Sequence, residues 1–312
     1  LLNPLFALDQ DDASSNTGAT LKEKWKKDDN AWQDHLLRSY GRRWDLASTE
    51  DHAQWYKEGT GLSSGPAKAG EFSIAGKGDN AIAGIHPSGT FTHLESSKHG
   101  GILTSPDFTL NDDYEIWMRL KGADRAMSRY VVFNYPRNGT VYPVREMRDD
   151  NAKRWHWQRY NVDYWKGDDI HLEVTTAGDA PLLVRDDERS WFGIREALVV
   201  KKGNPTPPNK PRRYLSPVFA AIHNQEDIKR TVLVDAYLSA IKSALTAWKT
   251  GEASDDQAEL LEECRRLALL PNELEQLTTA KPLLAAYRQL ENEIPVPTRI
   301  PTVTEWSARN QP

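Results

Sequence analysis

The sequence of 312 residues nearly lacks cysteine: Cys264 is the single thiol. That excludes an internal disulfide, a paired-cysteine zinc site and a CxxCH haem attachment. Cys264 falls in LLEECRRLALL, a run at helical spacing, where a small buried residue is expected and not a nucleophile. Long apolar runs are missing too, and none approaches the ~18 residues needed to span a bilayer. Positive charge is not in excess. The formal net charge of −5 offers no basic footprint for nucleic acid. Catalytic signatures are equally scarce: there is no GxSxG elbow, HExxH, P-loop or Rossmann fingerprint. A glycosidase pair cannot be singled out among 45 acidic residues, because that chemistry depends on two carboxylates facing each other. The opening LLNPLFALDQDD has no Met and no basic start, so no signal peptide is visible and a segment of a longer chain is expected.

What the sequence does have is aromatic residues, including 11 Trp, most of them before residue 200. Residues 1–41 read as a polar loop followed by a helix. Leu21, Trp25, Trp32, Leu36 and Tyr40 fall near one face, and Thr20 is the candidate cap. Residues 42–203 change texture, with Gly and Pro punctuating short β-branched and aromatic runs. DYEIWMRL alternates, placing Tyr114, Ile116, Met118 and Leu120 on one face and Glu115, Trp117 and Arg119 on the other. In SRYVVFNY, Tyr130 and Val132 oppose Val131 and Phe133. In DIHLEVTT, Ile170, Leu172 and Val174 oppose Asp169, His171, Glu173 and Thr175. WFGIREALVV puts Phe192, Ile194 and Leu198 inward. Residues 204–224 read as a proline-rich linker. Residues 225–294 carry helical spacing, with Ser254 as an N-cap, and 295–312 leave as an extended tail. The expected fold is mainly β: a jelly-roll or galactose-binding-like β-sandwich followed by a small α-helical bundle.

The segments THLESSKHGGILTSPDF, RYVVFNYPRNGTVYP, DYWKGDDIHLEVTTAGDAP and SWFGIRE resemble the middle region of the large planctomycete cytochrome-c-associated proteins. The resemblance covers residues 40–205 well and the helical part more loosely. In that family a haem domain and a helical domain precede this region, and a domain of unknown function follows it. The resemblance implies a sandwich related to carbohydrate-binding modules. It also implies an exported protein, periplasmic or at the cell surface, whose partners are its neighbouring domains. The family's haem has no attachment site in this segment.

The candidate ligand residues cluster around a hairpin. Pro136 and Asn138-Gly139 are turn chemistry. Arg129, Tyr135, Arg137, Asn138 and Tyr142 combine aromatic faces with donors suited to sugar rings and hydroxyls, and Arg would also pair with sulfate or uronate. Asn138-Gly139-Thr140 also matches a glycosylation sequon. Trp165 with Lys166 is a second stacking candidate, and Trp155 with Trp157 is either core or platform. Trp191 is expected as a core anchor. His99, with His93 and Lys98, sits in a Ser- and Gly-rich loop that is either a hydrogen-bonding element or a plain connection. Asp169, His171 and Glu173 share a strand face, read either as a metal site or as a solvated surface. Asp168 and Asp169 are candidates for a structural Ca²⁺ site, set against a simple turn after Gly167. The leading functional expectation is a non-catalytic polysaccharide-binding module, with an acidic or complex glycan as ligand. The alternatives are an inter-domain docking module without ligand and a polysaccharide-active hydrolase.

Overall fold

The computed structural model describes residues 16–132, 144–148, 154–179, 189–208, 212–225 and 228–295, with side chains from residue 20 onward. In chain order the elements begin with α1 (Asn16–Leu37), β1 (Arg42–Asp45), α2 (Thr49–Gln54), β2 (Tyr56–Glu58), β3 (Phe72–Ile74), β4 (Ile82–Ile85) and β5 (Thr90–Phe91). Then come β6 (Ile102–Thr104), β7 (Phe108–Thr109), β8 (Tyr114–Ala123), β9 (Met127–Val132), β10 (Arg145–Glu146) and β11 (His156–Asn161). The chain continues through β12 (Asp169–Thr175), β13 (Trp191–Lys201), α3 (Ser216–Ala221), α4 (Arg230–Thr250), α5 (Asp255–Arg266) and α6 (Lys281–Glu293).

Two antiparallel sheets stack face to face. One has the order β1-β13-β8-β11, with β5 continuing the β1 edge of β13. The other has the order β10-β9-β12-β6-β2, with β7 beside β12. The alternation read from the sequence holds in β8 and β12. Ile116, Met118 and Leu120 meet Ile170, Leu172 and Val174 in one core with Tyr130, Val132 and Phe192. Each is at most 4 % exposed, as expected where two pleated faces interdigitate.

β13 departs from simple alternation. Its register against β8 shifts between Ile194 and Glu196. The extra residue, Arg195, is a bulge that inverts the facing of the rest of the strand. Phe192 and Ile194 point inward before it, and Ala197 and Val199 do so after it. Leu198 therefore lies on the outer face, opposite Trp117, which corrects its inward placement.

A second core gathers the helices. Leu215, Val218, Phe219, Leu233, Tyr237, Leu260, Leu261 and Cys264 pack together, with Ile85 from the β3–β4 hairpin. The stretch 204–224 is thus not linker throughout, since it contains α3 and part of this core. α1 starts at Asn16, so Thr20 lies inside the helix and is not its cap. Its inward face runs through Trp25, Trp32 and His35, leaving Leu36 40 % exposed. Trp25 stacks on Phe219 at 5.6 Å, which joins α1 to α3.

Ser254 caps α5 in a reciprocal box. The Gln257 N–H donates to the Ser254 hydroxyl at 3.3 Å, and the Ser254 N–H donates to Gln257 Oε1 at 2.9 Å. Gly251 closes α4 with φ +74°, a left-handed conformation that glycine adopts without side-chain cost. Ser254→Ala is expected to lower stability by about 1 kcal/mol, read as a shift of the urea unfolding midpoint. An unchanged midpoint would contradict this capping role.

Candidate functional site

The outer face of the five-stranded sheet is covered by helices. Arg119 of β8 pairs with Glu259 of α5 at 3.3 Å, and its guanidinium lies over Trp32 and Trp155 at 4.9 and 5.7 Å. Glu196, turned outward after the bulge, receives His35 of α1 at 3.2 Å and Arg43 of β1 at 2.7 Å. Arg195 reaches Asp255 of α5 at 2.6 Å. Trp157 meets His35 edge to face at 5.8 Å. Trp155 and Trp157 are half-buried and face protein in this layer. They are neither sandwich core nor an open platform.

The outer face of the six-stranded sheet is built differently. Strand register aligns Tyr56 with Thr104, Thr104 with Glu173, and Glu173 with Arg129. Directly opposed residues share a face, so these four form one row across four strands, about 14 Å long at the usual strand spacing. Tyr56 is the exposed end, at 44 %; Thr104, Glu173 and Arg129 are 1–3 % exposed. Arg129 Nε and Nη2 donate to Glu173 Oε2 at 2.8 and 2.6 Å, whereas Arg129 Nη1 is buried without a partner. His171 lies between Glu173 Oε1 at 3.2 Å and Asp107 Oδ1 at 3.1 Å. Asp107, 39 % exposed at its side chain, thereby stands at the surface end of a hydrogen-bonded chain of buried polar side chains.

This arrangement revises several expectations. Arg129 is no open ligand contact, because its guanidinium is buried against Glu173. His171 and Glu173 are not a solvated face; they are 1 % exposed. The polar side chains of a strand that looks half polar in isolation are here bonded to Arg129 and Asp107 from neighbouring chain segments. Tyr135, Arg137, Asn138 and Tyr142 lie outside the described residues. Trp165 is in the sandwich core, where its indole N–H donates to the Tyr130 hydroxyl at 3.0 Å, so it is no platform. Lys166 is exposed and pairs with Asp113 at 3.1 Å. Trp191 stacks on buried His93 at 3.8 Å.

The loop at 93–99 is neither a free hydrogen-bonding element nor a plain connection, since it docks α6. Lys98 Nζ donates to the carbonyls of Glu291 and Ile294 at 2.8 and 3.1 Å, and the Ser96 hydroxyl donates to Glu291 Oε1 at 2.7 Å. His99 is half-buried, with Nδ1 3.0 Å from the Thr60 hydroxyl. Asp168 belongs to a turn: its N–H donates to the Trp165 carbonyl and its carbonyl accepts from the Leu110 N–H, both at 3.0 Å, with Gly167 at φ +95°. The Asp169 carboxylate accepts from the Thr109 hydroxyl. Among the described residues, no group of three or more His, Cys, Asp or Glu is arranged to hold a metal. Cys264 is fully buried, and burial pushes its thiol up to about 11, which suits a packing role. Tyr56 carries no signal in the sequence because β2 is only three residues long, too short for alternation to register.

No protein-family model matches the chain, and no curated protein matches it. Solved structures resemble its β region. TmCBM61, in complex with β-1,4-galactotriose, shares 15 % identity at a TM-score of 0.28, covering 47 % of this chain and 88 % of its own. CsCBM6-3 from Clostridium stercorarium, in complex with cellobiose, shares 9 % identity at 0.29, covering 52 % and 94 %. The K2 cleaved adhesin domain of Lys-gingipain shares 8 % identity at 0.30, covering 47 % and 90 %. The likeness is one of fold, and it assigns no site residue. No helix among the described residues is long and apolar enough to cross a membrane.

Proposed function

We propose that this chain is a non-catalytic carbohydrate-binding module, with the outer face of its six-stranded sheet as the ligand surface. The observation that carries this reading is the row from Tyr56 to Arg129. An exposed aromatic ring stands at one end, and a hydrogen-bonded chain from Arg129 through Glu173 and His171 reaches the partly exposed Asp107 carboxylate. Tyr56 stacks on the C–H face of a sugar ring. Asp107 accepts hydroxyl protons, and the buried His171–Glu173–Arg129 chain keeps its carboxylate in place. No covalent step is involved. An exported location and membership in a planctomycete cytochrome-c-associated protein belong to the same proposal, resting on the sequence resemblance.

The test is a glycan array with the full chain, then titration of any hit. Tyr56→Ala, which removes a partly exposed ring, is expected to weaken binding by about tenfold, whereas Tyr56→Phe, which keeps the ring, is expected to retain most of it. Binding that survives this change moves the ligand surface elsewhere.

A second reading, a docking module, is favoured by a different observation. The Trp- and Arg-rich outer face of the five-stranded sheet is occupied by α1 and α5 of the chain itself. That face serves cohesion between the sandwich and the helices. The two readings are compatible, because they concern opposite faces.

A further inference from the structure

We propose that a small monovalent anion, of the size of chloride, binds at Lys121 in the layer between the five-stranded sheet and α5. The Lys121 ammonium and the Nδ1 atoms of His86 and His93 hold it. This site lies on the sheet opposite the proposed saccharide surface and does not depend on that reading.

Strand register builds the site. Phe91 of β5 and Lys121 of β8 both oppose Gly193 of β13, so the three form one row on the outer face. Glycine is required between them, because a Cβ at Gly193 would stand 2.6 Å from the Phe91 ring. That ring meets His86 at 4.8 Å and Trp155 at 5.8 Å, and His86 meets His93 at 4.9 Å. Trp191 covers His93 at 3.8 Å. Lys121, His86 and His93 are 4, 1 and 7 % exposed. Lys121 is close enough to act on both imidazoles. Burial first, and then the Lys121 charge, lower His93 from 6.5 to about 3. Burial, His93 and Lys121, in that order, hold His86 well below 6.5.

The charge balance points to an anion. Burial lowers Lys121 from its usual 10.5, and Glu262 is the first charge to oppose that. Yet both Glu262 oxygens are taken by Arg265, at 2.7 and 2.9 Å, and one also accepts the Ile85 N–H. Glu259 is turned to Arg119. Lys121 makes no hydrogen bond and no ion pair among the described residues. His86 Nδ1 and His93 Nδ1 are buried without partners as well. His86 Nε2 lies 3.1 Å from the Ser73 hydroxyl. With that hydroxyl donating, the His86 proton sits on Nδ1 and is available to a ligand. Buried polar groups without partners are rare in folded proteins and mark a water or an ion. Water takes such donors but brings no charge to offset a buried ammonium. An anion does both. One unmatched cation calls for one negative charge, and the near-complete burial of all three side chains favours a small ion over an extended one.

The test follows urea unfolding of the full chain at neutral pH while sodium chloride replaces sodium methanesulfonate at constant ionic strength. The parent is expected to gain stability as chloride rises from about 0.01 to about 0.5 M. The chloride NMR signal is expected to broaden in the presence of the folded protein. Lys121→Met, which keeps an unbranched stem and removes the charge, should weaken chloride binding at least about tenfold. His93→Phe, which keeps a ring against Trp191, should weaken it less. An unchanged midpoint and an unbroadened signal in the parent would overturn the proposal and leave water as the partner of these groups. Equal broadening in the parent and both variants would overturn it too, since chloride would then bind elsewhere. Sulfate displacing chloride at lower concentration than nitrate does would overturn the monovalent assignment.

Discussion

Replacing Glu173 with Ala is expected to lower the unfolding free energy by about 3–5 kcal/mol. Glu173 is 1 % exposed and its partner Arg129 is 3 % exposed. Water cannot take over when the carboxylate is removed. Two guanidinium donors and His171 Nε2 lose their acceptor together, and a desolvated cation is left unpaired. The size of the loss reflects that stranded charge more than the net value of the pair. A double variant, Arg129→Met with Glu173→Leu, should therefore recover most of the loss. Urea unfolding of the two single variants and the double measures this directly. A single-variant loss below about 1 kcal/mol, the range of exposed pairs, would mean that water reaches the row.

The second large effect depends on pH. Glu259 faces Arg119 in the layer between α5 and β8. Burial pushes its carboxyl up from 4.5 to about 7; Arg119 and Arg195 oppose the rise, and Asp256 and Asp255 add to it. The folded state thus favours the neutral acid. Its stabilising contribution is complete below about 4.5 and is lost as pH rises through about 7. Glu259→Gln keeps a neutral group of similar shape at every pH. Its stability advantage over the parent is expected to grow by about 2–3 kcal/mol between about pH 5 and about pH 8. The difference between the two proteins is the informative quantity. Burial holds His52, His86 and His93 below 6.5, so their contribution runs the other way, present above 6.5 and lost as pH falls. Both proteins share that slope. A constant gap across the range would show that Glu259 is solvated.

Much of the sandwich was legible because buried strands alternate. β8 and β12 show their inward residues at every second position, and the structure keeps those sets. The Ser254 cap was legible for a local reason, since capping involves neighbours three residues apart. What stayed hidden depends on partners distant in sequence. Arg195 carries no mark of a bulge, so Leu198 continued an alternation that the chain breaks. His171 and Glu173 look like surface residues until Arg129, 44 residues before Glu173, is set beside them. Trp155 and Trp157 share a face, but only the fold shows that α1 and α5 cover it. α3 was obscured by the prolines before it and by Pro217 within its first turn, where proline is in fact well tolerated.

The contact between α1 and α3 bears on how the molecule is made. Lys22 donates to the Gln225 carbonyl at 2.7 Å across 203 positions, and Trp25 stacks on Phe219. The helical body is therefore split in sequence, with the whole sandwich spliced into it. β1 and β13, where the insert enters and leaves, are paired neighbours. On a ribosome adding ~5–20 residues per second, α1 emerges roughly 10–40 s before its packing partner exists. The sandwich can close in that interval. α1 must wait, with Trp25 unburied until Phe219 has been made.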